Sequence, residues 1–337
     1  MVAFHQFEEY LVYLYLDLIN SDTQCLCNID SVTSDSITSL YDAISCYLSD
    51  ITSNDDILIK TSVTGNRNRN HEIYACLLYN ILKFIREKNP LNKIYLCDGP
   101  AYEYCLANEY KRLEWNAFLS ELNVDILDLN YGEVVMVDDL WPVSSYWVSA
   151  SKVINLCKAK THSRLGVTLS SKNLIGTLSG RFMGYPKLKH QHEHLQRIMY
   201  NLVKCRSNNM LNIIDGYYGI EGNGPMKGRI ANSNFIVYGT NAFLCDIRAM
   251  IEMGFHPLVT QYAIAPLECM QLKANYRSHI VNKKLCNLRQ SSYDYLPSIY
   301  FPWMYKSLSY DEQKIRVIYN TLLKVTIDNW NNYPKKL

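Results

Sequence analysis

The stretch Ile57–Pro100, ILIKTSVTGNRNRNHEIYACLLYNILKFIREKNPLNKIYLCDGP, decides the fold class. It opens with a short apolar run at Ile57–Lys60, continues through a polar loop, and reaches a second apolar run at Lys93–Cys97. Strand, helix and strand in this order form a βαβ unit, whose two strands are parallel. The helix is predicted over His71–Lys88, where apolar side chains recur on one face: Tyr74, Leu77, Leu78, Ile81, Leu82 and Ile85.

Two loops of this unit reach the edge of the sheet where ligands bind. In open parallel sheets, that edge is the one at the carboxyl ends of the strands. The first loop carries Arg67 and Arg69, and the second begins at Asp98. A guanidinium group suits a carboxylate because it can donate two parallel hydrogen bonds. We therefore take all three as candidate substrate-binding residues, with a turn or capping role left open for Asp98.

Strands and helices continue to alternate along the chain. Further strands are predicted at Val153–Cys157, Met210–Ile214 and Phe235–Gly239, and helices at Tyr102–Leu122 and His190–Cys205. The pattern predicts an α/β fold with a parallel or mixed sheet, helices on both faces and two closely packed lobes. We divide the chain into an N-terminal helical extension with a first strand (1–54), a first lobe (55–150), a second lobe (151–260) and a C-terminal helical segment (261–337).

Charge is unevenly distributed along the 337 residues, although the net charge is only +2. Residues 1–150 hold nine Lys/Arg against 22 Asp/Glu, whereas residues 151–206 hold eleven Lys/Arg and a single acid, Glu193. A basic block of this kind predicts a small anionic substrate or cofactor, or docking against the acidic half. It has no basic helix interleaved with aromatic residues, which argues against nucleic acid as a partner.

Neither a signal peptide nor an apolar run of about 20 residues is visible, so we expect a cytoplasmic protein with no membrane partner. The eleven cysteines include no CxxC pair. This argues against a ferredoxin-type cluster, a zinc knuckle and a disulfide framework, and is typical of free thiols in a reducing compartment. A second copy of the chain or a protein of the same pathway stays open as a partner.

The basic block contains the stretch Ala159–Gly176, AKTHSRLGVTLSSKNLIG, which we expect to be a loop close to a ligand. His162 can transfer a proton near neutral pH, and Lys172 can act as a nucleophile if neighbouring cations or burial remove its charge. Both are candidate catalytic residues, and Lys160 is a candidate for substrate binding. A surface loop with a structural histidine is the alternative.

Two further segments have candidate site residues. His190 and His194 are four residues apart on a predicted helix, so they could bind a metal together with Asp246; solvated imidazoles and a capping carboxylate are the alternative. Asn212–Gly228 holds five glycines in seventeen residues, which indicates close approach of the backbone to a ligand or a tight turn. The candidate cofactor-binding residues there, with Lys172, are Asp215, Glu221, Gly222, Asn223 and Gly224.

Three blocks, VINLCKAKTHSRLGVTLSSKNLIG, DGYYGIEGNGPMKG and YGTNAFLCDIRAMIEMGFHP, resemble in that order the signature blocks of the family called domain of unknown function 362. ILIKTS and IYLCDGP resemble its two earlier strand ends, so the resemblance covers roughly residues 55–260. Many members carry a ferredoxin module with clustered cysteines, which this chain lacks.

A fainter similarity is to the nickel-pincer lactate racemase, which shares the spacing of His162, Gly166 and Lys172. It implies that Lys172 anchors the cofactor and that His162 carries the proton. One of the histidines at 190, 192 and 194 would bind the metal. The loop after Asp98 has Tyr102 and Tyr104 where the racemase needs a second histidine. A one-base reaction, or Tyr102 as the second acid, stays open.

These features predict an enzyme that acts on a small carboxylate or another anionic metabolite by proton or hydride transfer, in a specialised pathway such as natural-product biosynthesis. A divalent metal or a nickel-pincer-like adduct is the cofactor that the resemblance implies. The alternatives are a non-catalytic protein that binds an anion, metal or cofactor, and an iron–sulfur redox partner. The sequence does not fix the reaction class.

Overall fold

The computed structural model describes residues 27–28, 34–65, 69–162, 166–185, 187, 195–206, 209–222, 224–226 and 228–253. The strands within these ranges are β1 (Cys27–Asn28), β2 (Asp56–Lys60), β3 (Lys93–Asp98), β4 (Asp125–Asp128), β5 (Val134–Val137), β6 (Trp141–Ser144), β7 (Lys152–His162), β8 (Gly166–Thr168), β9 (Leu211–Glu221) and β10 (Arg229–Gly239). The α-helices are α1 (Ser34–Tyr47), α2 (Ala75–Lys88), α3 (Leu106–Arg112), α4 (Asn116–Glu121), α5 (Ser145–Ser149), α6 (Ser170–Asn173), α7 (Gly180–Met183), α8 (Leu195–Cys205) and α9 (Ala242–Glu252).

The described strands form one mixed sheet in the order β1-β10-β9-β7-β2-β3-β4, with β8 added beside β7 and β5 and β6 forming a separate pair. Five consecutive strands of this order, β9, β7, β2, β3 and β4, are parallel, and β1, β8 and β10 are antiparallel to their neighbours. The parallel β2 and β3 confirm the predicted βαβ unit. The fold is α/β.

Each face of the sheet has its own apolar core. Successive residues of a strand point to opposite faces. On β7, Ile154 and Leu156 therefore join the core formed with α1, α2, α3 and α4, and Val153 and Cys157 join the one formed with α6, α8 and α9. The helices thus lie on both faces, as the alternating pattern predicted.

The boundary that we predicted near residue 150 falls just before β7, which pairs directly with β2 in register Ile59↔Ile154. One sheet therefore continues across that boundary. The N-terminal segment up to residue 26 and the predicted C-terminal segment, 261–337, lie outside the described residues. In the part of the chain that is described, no helix has the length and apolar character needed to cross a membrane.

The structure differs from the prediction around the two polar stretches. β7 continues through Ala159 to His162 and pairs antiparallel with β8, where a loop was expected. The strand was missed there because Lys158, Lys160 and His162 interrupt the apolar run. Similarly, α2 begins at Ala75, not at His71, because a 3-10 turn at Arg69–His71 precedes it.

Candidate functional site

A row of buried basic side chains lines the carboxyl-end half of β7. Lys158, Lys160 and His162 alternate along the strand and so share one face. Each is at most 8% exposed. The Lys158 ammonium lies 3.2 Å from Oδ2 of Asp215 on β9, and the Lys160 ammonium lies 3.3 Å from Oε2 of Glu72. The strand thus places two buried ion pairs side by side.

The two acids are themselves held by backbone donors. The amides of Tyr74 and Tyr217 donate to Asp215 at 2.8 and 3.1 Å. Glu72 accepts from the amide and the hydroxyl of Thr64 at 3.0 and 2.5 Å. Because these bonds fix both carboxylates, the positions of the two lysine ammonium groups are fixed as well.

The glycine-rich turn after β9 packs against the carboxyl end of β7. The Thr161 hydroxyl donates to the Gly222 carbonyl at 2.9 Å and accepts from the Gly224 amide at 3.2 Å. A Cβ on Gly224 would overlap the Thr161 carbonyl oxygen, so glycine is needed here for packing of the protein against itself. The Pro225 carbonyl lies 3.3 Å from Nδ1 of His71. Burial lowers the pKa of His71, as do the charges of the nearby lysines of β7.

The short helix α6 is anchored at its start by an acid from α9. The Asp246 carboxylate accepts from the amides of Ser170 and Ser171 at 2.7 and 2.9 Å and from the Ser171 hydroxyl at 2.5 Å. The Asn155 amide group on β7 donates to the Ser170 carbonyl at 3.0 Å. These buried polar contacts fix the first turn of α6 against β7 and α9.

The other end of α6 is held by Asn173. Its side-chain NH₂ group donates to Asn155 Oδ1 at 2.8 Å, and its side-chain oxygen Oδ1 accepts from the Lys60 ammonium at 3.1 Å. Lys172, between the two anchored ends, is therefore presented from a rigid support. Its side chain is half-buried, and burial together with the charge of Lys160 lowers the pKa of its amine to about 8.

Lys60 and Asp98 form a third buried ion pair, 2.6 Å apart. Lys60 also donates to the Thr61 carbonyl, and Asp98 accepts from the amides of Val63 and Gly99 at 2.7 and 2.8 Å. A Cβ on Gly176 would lie only 2.5 Å from Asp98 Oδ1. The Asp98 carboxylate is thus placed to hold the ends of β2 and β3 together.

The other predicted residues lie in several places. Arg69 forms an ion pair with Glu114 at 2.6 Å, and both side chains are more than half exposed. Tyr102 is 54% exposed, whereas Tyr104 donates to the Val63 carbonyl at 3.3 Å. Burial, and then the charge of Asp98, raises the pKa of Tyr104. Glu221 accepts from Arg229 at 2.6 Å. Four predicted residues lie outside the described ranges: Arg67, His190, His194 and Asn223.

Comparison with known proteins identifies the family of this chain. The sequence pattern of the family described as "Domain of unknown function (DUF362)" matches residues 57–251, more than half of the chain. The chain belongs to this family. The match begins at β2 and ends within α9, so it contains every ion pair and anchor described above.

One relative of this DUF362 protein is the thylakoid-associated protein sll1697 of Synechocystis, which is 25% identical over 203 residues. The aligned part covers 57% of this chain and 61% of the relative, so the chain matches about three-fifths of the relative's length. These matches do not extend to the nickel-pincer lactate racemase. The roles of Lys172 as cofactor anchor and of His162 as proton carrier stay predictions.

The metal site predicted for this DUF362 protein is also only partly described. Within the described ranges, no three His, Cys, Asp or Glu side chains are placed to share a metal ion. Asp246 faces the start of α6, and His190 and His194 lie outside those ranges. Asp246 therefore has an anchoring position, and the metal pair stays a prediction.

Several site residues of this DUF362 protein were not singled out from its sequence. Lys158 follows directly after the predicted strand Val153–Cys157 and was not considered, although the alternation Lys158, Lys160, His162 was a signal for one polar face. His71 and Glu72 were read as the start of a helix, although they follow the loop at the carboxyl end of β2. The anchors of α6 had no such signal, because Asp246 and Asn155 are distant from it in sequence.

We expect the Lys172 amine to titrate near pH 8, well below an ordinary lysine. Reductive ¹³C-methylation followed by NMR titration measures this, with Lys172→Arg to assign the resonance. Lys160→Met should move the titration to higher pH, because it removes a positive neighbour and leaves Glu72 unpaired. A Lys172 resonance that titrates near 10.5 in the wild-type protein would contradict the arrangement.

Proposed function

We propose that this DUF362 protein is an enzyme that acts on a small carboxylate or another anionic metabolite by proton transfer. Lys172 exchanges the proton, Lys158 and Lys160 supply positive charge for the anion, and His162 is the second candidate proton carrier. The observation that carries the proposal is the mounting of Lys172 on a short helix, α6, whose neighbouring residues are anchored on Asp246 and Asn155.

The charge of the site supports an anionic ligand. Removing an ammonium group from water is costly unless partners compensate for it. Glu72 and Asp215 compensate at 3.3 and 3.2 Å, which is longer than the 2.7–2.9 Å typical of strong charge-assisted hydrogen bonds. An anion bound at Lys158 or Lys160 would add to this compensation.

Proton transfer is supported by the titration of Lys172. A catalytic acid or base works best when its pKa lies near the working pH, and the pKa of Lys172 is about 8. At neutral pH, the amine can accept a proton from the substrate and return it. His162 lies on the same face of β7 as Lys160, so a one-base or a two-base reaction fits this placement.

A deuterium-exchange experiment tests the proposal. Small 2-hydroxy and 2-oxo acids, with lactate, malate and pyruvate as probes, are incubated with the protein in D₂O, and loss of carbon-bound protons is followed by NMR. We expect Lys172→Met to slow the exchange at least about 100-fold, the lower range for a general acid–base group. Lys172→Arg should also abolish exchange but keep anion binding, because it keeps the charge.

The matched control is Lys93→Met, which removes an exposed lysine at the start of β3. It should leave exchange unchanged. The proposal fails if Lys172→Met exchanges at the wild-type rate, or if no probe is bound or exchanged by the wild-type protein.

The second candidate function is anion binding without catalysis. It is favoured by the ion pairs that both β7 lysines form with carboxylates. These pairs hold the two ammonium groups in fixed positions, which suits binding of an anion without proton transfer. Titration calorimetry with the same acids separates the two functions. Binding that depends on Lys160, in a protein that catalyses no exchange, would establish this candidate in place of the first.

For the location, we propose a reducing compartment such as the cytoplasm. Seven cysteines of the described ranges are free thiols, and burial raises the pKa of two of them, Cys97 and Cys157. The relative's printed name associates that protein with thylakoids, so cell fractionation with detection of this chain in the membrane fraction is the test. Recovery mainly with membranes would overturn the proposal.

A further inference from the structure

We infer that the carboxyl end of β7 binds an aromatic monocarboxylate, whose carboxylate lies on the ammonium groups of Lys158 and Lys160 and whose ring lies on a neighbouring tyrosine cluster. The members of the tyrosine cluster are Tyr74, Tyr217 and Tyr218. The inference deepens the proposed function, because it names the substrate class, and it rests only on the anion-binding part of that function.

The ammonium groups of Lys158 and Lys160 have fewer partners than two other buried lysines of the chain. An ammonium group has three N–H donors. Lys60 and Lys187 use all three, on oxygen atoms 2.6–3.1 Å away. Lys158 and Lys160 are 2% and 1% exposed, and each contacts one oxygen atom of the described residues, at 3.2 and 3.3 Å. Because buried donors are costly to leave unpaired, two donors on each group are available to a ligand with several oxygen atoms.

Both ammonium groups can serve one ligand. Lys158 and Lys160 are two residues apart on β7, so their side chains leave the same face of the strand about 7 Å apart at the backbone. A carboxylate has two oxygen atoms that each accept two hydrogen bonds, so it can join the two groups. Asp215 and Glu72 already match the two lysines one to one in charge. A monoanion is therefore less costly to bury here than a phosphate or another dianion.

The neighbouring strand leaves β7 between these two lysines. Lys158 pairs with Asp215 of β9. Lys160, only two residues further along, pairs with Ile220. Four residues of β9, 216–219, therefore stand opposite a single residue of β7. Such a bulge changes the direction of side chains and is common beside active sites. It places the two tyrosines that it contains next to the interval between the lysines.

Tyr74 joins the two tyrosines of the bulge in the tyrosine cluster. Its ring centroid lies 5.1 Å from that of Tyr217 and 5.6 Å from that of Tyr218, and those two are 4.5 Å apart. Tyr74 is 38% exposed, and the other two are half-buried. The Tyr74 amide and the Lys158 ammonium bind the same oxygen of Asp215, at 2.8 and 3.2 Å. The tyrosine cluster thus adjoins the lysines and offers the edge-to-face contacts that a further aromatic ring prefers.

Titration calorimetry on the full-length protein with three matched probes tests the inference. Benzoate has an aromatic ring and a negative charge. Cyclohexanecarboxylate has the charge and a ring of similar size without π electrons, and benzamide has the aromatic ring without the charge. We expect benzoate to bind about two- to twelvefold more tightly than cyclohexanecarboxylate, the range that aromatic contacts add beyond burial. Benzamide should show no measurable binding.

Variants assign the two halves of the site. Tyr74→Leu and Tyr217→Leu should each reduce the preference for benzoate and keep the binding of cyclohexanecarboxylate, because neither touches a lysine. The matched control is Tyr131→Leu, which removes a tyrosine that is 52% exposed and should keep the preference. Lys160→Met with Glu72→Gln removes an ammonium group together with its charge partner, and should weaken both carboxylates about tenfold or more. Circular dichroism confirms that each variant is folded.

The outcomes separate the inference from the proposed function. Equal affinity for benzoate and cyclohexanecarboxylate, or a full preference in both tyrosine variants, would overturn the aromatic site. Unchanged binding after loss of Lys160, or tighter binding of inorganic phosphate than of benzoate, would also overturn it. Lys172-dependent exchange of the small acids without a preference for benzoate would keep proton transfer and remove the aromatic site. The expected benzoate binding in a protein that exchanges none of the acids would support the site and overturn proton transfer.

Discussion

Replacing Asp98 by alanine lowers the free energy of unfolding by about 3–5 kcal/mol, the expected cost of leaving a buried charge without its partner. Lys60 is fully buried and lies 2.6 Å from Asp98, so no water replaces the lost carboxylate. The change also leaves the amides of Val63 and Gly99 without an acceptor. Urea denaturation followed by circular dichroism measures the difference.

Two variants serve as controls for this result. Asp50→Ala removes an exposed acid that pairs with Lys152 and should have no measurable effect. The double variant with Lys60→Met and Asp98→Leu should recover only the part of the loss that comes from the unpaired ammonium, because the amides of Val63 and Gly99 still lack an acceptor. A loss below about 1 kcal/mol for Asp98→Ala would show that water reaches the pair.

The second large effect is expected for Asp246→Ala, which frees the start of α6. Two buried amides and one hydroxyl lose their acceptor, at a cost of about 2–4 kcal/mol in unfolding free energy. Because α6 then moves, we expect Lys172-dependent exchange to fall at least tenfold. The pKa of Lys172 should return toward its ordinary value, because the amine is no longer buried.

This experiment also separates anchoring from metal binding. Asp246→Asn keeps one carbonyl oxygen for the amides of Ser170 or Ser171, so an anchoring role predicts an intermediate loss. A ligand role predicts instead that elemental analysis finds a metal in the wild type and none in either variant. The control for loss of one negative charge is Glu121→Ala. Glu121 is an exposed acid that accepts a hydrogen bond from the Tyr79 hydroxyl.

Much of the fold follows from local sequence patterns. The apolar spacing of α2 and the short runs that flank it predicted the parallel pair β2 and β3. Such patterns work because amphipathic helices and buried strands carry their periodicity within a few residues. The same patterns ended the predicted strand before Ala159. The buried lysines of β7 interrupt the apolar run there, so the rest of the strand could not be recognised.

The candidate site was likewise predicted only in part from local sequence patterns. The sequence singled out Lys160, His162, Lys172, Asp98 and Asp215, all of which lie in the ion pairs and anchors of the structure or directly beside them. It did not predict their partners. Glu72 lies 88 residues from Lys160, and Asp246 lies 75 residues from Ser171. Such pairs form only once strand order and register are set.

By itself, the sequence determined the α/β class, the βαβ unit and the family resemblance, and it predicted the stretch from Ala159 to Gly176 as the candidate site. Only the tertiary structure decided that Asp98 closes an internal ion pair, that Asp246 anchors α6, and that Lys158 and Lys160 pair with buried acids. The physical reason is the separation along the chain of the residues that determine each property. Periodicity is set by neighbours along the chain, whereas charge, burial and pKa are set by neighbours across the sheet.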